Sequence, residues 1–278
     1  MAGGAARGID RRVDHPPAIA EPFDRAVRRR QHARASMVAG AFDFLTHAIA
    51  ADLAARVAAF DRRFAVVVDS GGSGIAASEL TITLDASPEV AARLAAGPQA
   101  SPFTASVAAD EDRLPFADAS VDLIASVARL HGVNDLPGAL ILARRALRPG
   151  GVFVAGFAGG ATLAEVRADL LAAESELTGR AAPRIAPMVD TDAAAGLLQR
   201  AGFAGPVVEV DTLSVRYDDL FAVLRDLRGM GEGNIMRSRV PLRRDVLADA
   251  ARRFAMRADA GGRIAVTVQV IYLTGWAR

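Results

Sequence analysis

Seven short β-type runs, mostly set apart by helical stretches, constrain this chain more than any other feature. AVVVD (65–69) is a buried-type strand, and LTITLD (80–85), FTASVAAD (103–110), SVDLIASVA (120–128) and VFVAGFAG (152–159) follow in order. Helical patterns over 88–96 and 136–147 lie between them, the second ended by RPGG at 148–151. Strands alternating with helices imply a parallel sheet covered on both faces. Residues 161–177 and 191–201 read as helices, and PVVEVDTLSVRY (206–217) and GRIAVTVQVIYLTGW (262–276) as late strands. Helices at 218–229 and 241–258 connect those two strands, which suggests an antiparallel edge on an otherwise parallel sheet. Ahead of the sheet, residues 23–60 are helical in pattern: Phe42, Leu45, Ile49, Leu53 and Val57 make one apolar stripe.

With 278 residues, 51% hydrophobic and 23% charged, the chain has material for one large α/β domain. We read residues 1–20 as a flexible arm and 21–278 as a single domain. Its parts are a helical N-terminal extension (21–62), a cofactor-binding core (63–160) and a substrate- or partner-side C-terminal part (161–278). A formal net charge of +1 gives no field that argues for nucleic acid. There is no cysteine, so thiolate nucleophiles and Cys-ligated zinc are excluded. No apolar run approaches the ~20 residues of a transmembrane helix. The basic residues are all Arg, and the Arg-rich N-terminus carries Asp10, Asp14, Glu21 and Asp24 without an apolar core. The plain reading is a bacterial cytoplasmic protein.

In a doubly wound sheet, ligands lie beyond the carboxyl ends of the strands. Asp69 and Gly71, Gly72, Ser73 and Gly74 follow the first strand there, and glycines let a backbone approach a ligand closely. Asp85 ends the second strand, where a carboxylate can accept two hydrogen bonds from ribose hydroxyls. Asp110 and Glu111 end the third, placed for an adenine amino group. Ser126 to His131 follow the fourth and line the mouth. Each acid is equally able to cap a helix. His131 is a candidate base, or equally a residue that packs its own loop. Asn134 is a candidate substrate contact or a helix cap. Arg184, Arg216 and Tyr217 are candidate acceptor contacts, an Arg being able to hold a carboxylate through two hydrogen bonds; the alternative is a surface ion pair. The run Arg28-Arg29-Arg30 reads as a solvated helix face or as a clamp on an acidic partner.

The run ADEDRLPFADASVDLIASVARLHGVNDLPGALILARRALRPGGVFVAGFAGG (109–160) resembles class I S-adenosylmethionine (SAM) methyltransferases of the methyltransferase-11 type. More narrowly, the chain is similar to the family of the methyltransferase-fold mitochondrial complex I assembly factor and its bacterial relatives. FDRAVRRRQHARAS (23–36), LLQRAGFAGPVVEVDTLSVRY (197–217), LRDLRGMGEGN (224–234) and IYLTGWA (271–277) carry that narrower resemblance. It implies a Rossmann-like fold whose mostly parallel seven-stranded sheet has an antiparallel edge and a helical insertion before the last strand. It implies SAM as cofactor, with Asp69 and Gly71 at its methionine end, Asp85 at the ribose and Asp110-Glu111 near adenine. It also implies a complex I subunit or another protein as acceptor, and an arginine hydroxylase-like activity. A cousin family, the O-methyltransferases of a malonyl carrier protein, shares the LPF and RPGG-like landmarks.

Two places depart from the family pattern. Only nine residues, Gly71 to Glu79, separate the glycine turn from the second strand. A crossover with its helix needs roughly ten to twelve, so the helix N-terminus that would face the ligand is poor or missing. At Gly132 the family pattern carries a Trp. A hydroxylase iron site would need two His and a carboxylate on one face. Of His15, His32, His47 and His131, three lie in the N-terminal arm and first helix, so no metal site is expected. Three functions follow: a SAM-dependent enzyme modifying a protein or small-molecule acceptor, a non-catalytic methyltransferase-fold assembly factor, or a carrier-protein O-methyltransferase.

Overall fold

The computed structural model describes residues 21–38, 40–75, 79–97 and 101–278, so the expected arm at 1–20 lies outside the described residues. Seven strands form one sheet in the order β3-β2-β1-β4-β5-β7-β6. These are β1 (Val66–Ser70), β2 (Leu80–Asp85), β3 (Phe103–Ala108), β4 (Val121–Val127), β5 (Leu147–Gly159), β6 (Ala204–Tyr217) and β7 (Ile264–Trp276). The first five run parallel, and β7 enters antiparallel between β5 and β6. The mostly parallel sheet with an antiparallel edge is therefore as expected, each strand within a few residues of its reading.

Eight helices accompany the sheet among the described residues: α1 (Arg25–Ser36), α2 (Phe44–Ala58), α3 (Pro88–Ala95), α4 (Leu136–Ala146), α5 (Ala164–Thr178), α6 (Thr191–Arg200), α7 (Leu220–Met230) and α8 (Arg244–Ala255). The N-terminal helical pattern is broken in two. Between α1 and α2, Gly40 takes φ +97° and donates its N–H to Asp43 Oδ2 at 2.9 Å. After the break α2 buries Ile49, Leu53 and Val57 against Val67, Leu123 and Val154 of β1, β4 and β5. Burying each of those side chains stabilises by roughly 1.5–3 kcal/mol. The opposite face of the sheet is covered by α4 and α6, through Leu140 and Leu198 packed on Ile124, Phe153 and Ile271.

The β6–β7 ribbon is longer than the rest of the sheet. Gly159, at the carboxyl end of β5, pairs with Gln269, yet β7 begins at Ile264 and pairs there with Tyr217. That overhang carries a core of its own. Val166 and Leu170 of α5, Leu220 and Val223 of α7, and Val246 and Phe254 of α8 pack on Tyr217, Ile264 and Val266. The insertion before the last strand thus stands beside the carboxyl ends of the parallel strands and forms part of the wall above them.

Candidate functional site

The loop after β1 is a tight turn held by one carboxylate. Asp69, fully buried, accepts the Ser73 N–H at 2.7 Å, and Ser73 Oγ accepts the Ile75 N–H at 3.2 Å. Gly71 has φ +88°, and a Cβ there would lie 2.2 Å from the Val127 carbonyl oxygen of β4. Residues 71–75 contain no helix, and β2 pairing begins at Leu80. The short-loop expectation stands for the described residues, 76–78 lying outside them.

The acids at the strand ends are where the sequence put them, and the chain's own arginines hold them. Asp85 Oδ1 accepts the Ser87 N–H at 2.8 Å, and its Oδ2 accepts Arg129 Nε at 2.9 Å with His32 Nδ1 3.8 Å away. Glu111 is gripped through both oxygens by Arg28, at 2.8 and 3.3 Å, and Ser70 Oγ stands 3.4 Å from it. Arg28 also donates to the Arg129 backbone carbonyl at 2.8 Å, which ties α1 to the loop after β4. Asp110 lies 3.3 Å from Arg25 and 3.6 Å from Arg29, while Arg25 makes a two-pronged bond to Asp112 at 2.6 and 2.7 Å. The basic run is therefore not a purely solvated face: Arg28 is buried, and the acid it clamps is internal.

Helix α1 carries Arg25, Arg28 and His32 across the strand ends, and both of its flanks are fastened. Asp24 caps it, accepting the Ala26 and Val27 N–H groups at 3.1 Å each. Asn134 accepts the Phe23 N–H at 2.8 Å and returns a bond to the Phe23 carbonyl at 3.2 Å. Asn134 is thus a backbone staple. Phe23 also bridges to Met236, in the segment after α7. The glycines of LRGMGEG are the price of close passage over α1: a Cβ on Gly229 would meet the Phe42 ring at 2.2 Å, and one on Gly233 would meet Gln31 Nε2 at 2.9 Å. Between these glycines, Glu232 reaches His131, Oε2 to Nε2 2.7 Å. Gly132 leaves room for Arg28, whose Nε would lie 3.0 Å from a Cβ there. A Trp at that position and a seated Arg28 are mutually exclusive.

The ionic cover responds to acid. Burial works against the Asp85 carboxylate, but the adjoining Arg129 charge outweighs it and holds the group below the ordinary carboxylate range. Burial likewise opposes Glu232, and His131 overrides it, pulling the carboxyl down to about 2. Burial and the Arg129 charge keep His32 below its ordinary value. Burial pushes Asp69 the other way, upward. A depressed folded-state pKa gives stability that is present above the unfolded value and lost as pH falls through the folded one. The unfolding free energy from urea titration should therefore fall as pH is lowered from about 6 towards 3, by on the order of 2 kcal/mol for the His131–Glu232 pair alone, and the midpoint should fall with it. A midpoint that stays level or rises over that range would exclude this linkage.

Several buried polar atoms under the cover have no hydrogen-bond partner within the protein. Among the described residues these are Gln31 Oε1, His32 Nδ1, Asp69 Oδ2, Asp110 Oδ1, Ser126 Oγ and His131 Nδ1, which lie in α1, at strand ends and in the short turn after β4. Such a concentration is the chemistry expected of a ligand place. The space is another matter. The cavity bounded by Ser70, Glu111 and Ser126 measures about 20 Å³, and both Asp85 oxygens and both Glu111 oxygens are engaged. As arranged, the carboxylates expected to address SAM are taken up by the chain's own donors.

Other candidates stand elsewhere. Arg184 clamps Glu174 and donates to the Val240 carbonyl at 2.6 Å, so it ties the C-terminal part together. Arg216 pairs with the exposed Asp259, and Tyr217 is buried in the overhang core. Gly72 and Gly74 take φ of +82° and +70° in the turn. Reading the sequence missed Glu232, and it did not join Arg28, Arg129 and His32 to the acids they face. The spacing of Arg25, Arg28 and His32 on one helical face was the available signal. Among the described residues, no group of three His, Asp or Glu side chains is arranged to hold a metal ion.

Residues 68–155 match the family description "Methyltransferase domain". The human protein "Arginine-hydroxylase NDUFAF5, mitochondrial" is 35% identical along 97% of this chain and 81% of its own length. The chain belongs to the arginine-hydroxylase NDUFAF5 family. Its zebrafish member (Danio rerio) is 36% identical over 91% of this chain and 82% of its own. A malonyl-[acyl-carrier protein] O-methyltransferase of Xylella fastidiosa is 34% identical, but over 60% of this chain and 56% of its own. In fold, the YcgJ protein of Bacillus subtilis superposes with a TM-score of 0.58 at 14% identity, covering 82% of this chain and 99% of that one. This NDUFAF5-family chain is thus a methyltransferase-fold protein, related more distantly to the carrier-protein O-methyltransferases.

Proposed function

We propose that the protein is a SAM-using, methyltransferase-fold modifying enzyme that acts on a protein acceptor during maturation of respiratory complex I, with an arginine side chain of a complex I subunit as its target. The observation that carries this reading is the reach of the family match, 97% of the chain. It takes in the segments that build the cover and the overhang core, beyond the nucleotide half of the fold. The name of the human relative, an arginine-hydroxylase, supports arginine as the acceptor chemistry. The acids at the ends of β2 and β3 support an adenosine-type cofactor. In the arrangement described, the oxygens of those acids are held by Ser87, Arg129 and Arg28.

The engaged oxygens of Asp85 and Glu111 favour a second reading, a non-catalytic assembly factor that holds a subunit with the same surface. One experiment separates the two. The gene is deleted in its host, and the arginine-bearing complex I subunits are compared by intact-peptide mass spectrometry and native electrophoresis. The enzyme reading expects one peptide to lose a single modification mass, with assembly impaired. Unchanged peptide masses with impaired assembly select the scaffold, and unchanged assembly rejects both.

A further inference from the structure

The closed site combines two features that do not suit a permanent core. Its ionic pairs are buried, and buried pairs contribute little net stability because desolvation offsets attraction. It also leaves polar atoms of α1 and the strand ends unpartnered, each at a cost. A core that had settled around α1 would have apolar groups, or completed hydrogen bonds, at Gln31, His32 and Ser126. The fastenings of α1 lie in its first turn and the residues before it: side-chain clips from Asn134 to Phe23, Arg25 to Asp112 and Arg28 to Glu111, and backbone bonds from Asp24 to Ile235 and Arg237 to Pro22.

We propose that α1 is a displaceable plug, seated by Arg28 on Glu111, and that an adenosine-type cofactor enters by unseating it and taking over the acids and unpartnered atoms beneath. The inference rests on the cofactor reading above and adds to it the element that controls access. Arg28 stands in for the ligand: its guanidinium occupies the Glu111 carboxylate that the cofactor would address. The small residue at 132 is the groove in which Arg28 lies when the plug is seated.

Two variants loosen the plug by different means. Arg28→Gln removes the two-pronged grip, and Asn134→Ala removes the staple at Phe23 without leaving a buried charge unpaired. Isothermal titration with SAM and with its demethylated product, on the full chain, gives the affinities. Amide hydrogen exchange over residues 25–36, with and without ligand, reports the position of α1. The plug requires tighter SAM binding in both variants, by at least about tenfold, together with faster exchange in α1 when SAM is added to the unaltered protein. Binding as tight in the unaltered protein as in the variants, with α1 exchange unchanged, overturns the plug and leaves the cofactor reading standing. No binding in any of the three at millimolar ligand overturns both.

Discussion

Replacing Arg28 with alanine will destabilise the folded protein by about 3–5 kcal/mol, because it leaves the Glu111 carboxylate buried without its counter-charge. Glu111 is 4% exposed, and besides Arg28, among the described residues, only the Ser70 hydroxyl, at 3.4 Å, is positioned to bond it. Solvent cannot rescue such a group, so the loss is much larger than the 0–1 kcal/mol typical of an exposed pair. The double variant Arg28→Met with Glu111→Leu removes both charges and fills similar volume, and should recover most of the loss. Urea unfolding of the three proteins checks both statements. A single variant that loses under 1 kcal/mol would mean that Glu111 is solvated in the folded protein.

The second large effect is expected at Gly71. Its φ of +88° lies in the region that side chains avoid, and a Cβ would be driven to 2.2 Å from the Val127 carbonyl oxygen. Both partners are backbone, so no side chain can swing away. The β1 loop or the end of β4 must shift, and Gly71→Ala should cost about 3–4 kcal/mol. Gly74→Ala offers the contrast. It shares a positive φ, of +70°, but no described residue lies within 4 Å of its added atom, so the conformational penalty of about 1–2 kcal/mol dominates. Thermal unfolding of the pair tests the steric argument, which equal losses would refute.

Strands and helices were legible because each rests on local pattern. The hydrophobic run VVVD and the alternation in β7 announce themselves within a few residues, and the order of elements then implies the parallel sheet. The N-terminal helix was read too long because its apolar period continues through Phe42 and Leu45, while the turn depends on a glycine at φ +97° and an Asp43 bond. The acids of the site were legible for a topological reason: Asp69, Asp85 and Asp110 each follow a strand, and strand ends face the ligand side. Their partners were not. Arg28 meets Glu111 across 83 positions, and His131 meets Glu232 across 101. Nothing in local spacing encodes which of many arginines will reach which acid. Arg184, Arg216 and Tyr217 each find a partner in the C-terminal part that the sequence does not advertise.

The position of β7 has a consequence for how the chain becomes a protein. β6 precedes it in the sequence but touches the sheet only through it, since the order is β5-β7-β6. Until residues 264–276 are available, β5 presents an unpaired edge and β6, 14 residues long, has no strand to dock on. From the completion of β6 until β7 emerges, a nascent chain therefore carries two sticky ribbon edges. Synthesis halted inside β7 yields a species whose parallel half is able to collapse while its remaining strand seeks a partner elsewhere. The final segment is the zip that closes the sheet, and truncated forms should be recovered as aggregates or bound to chaperones.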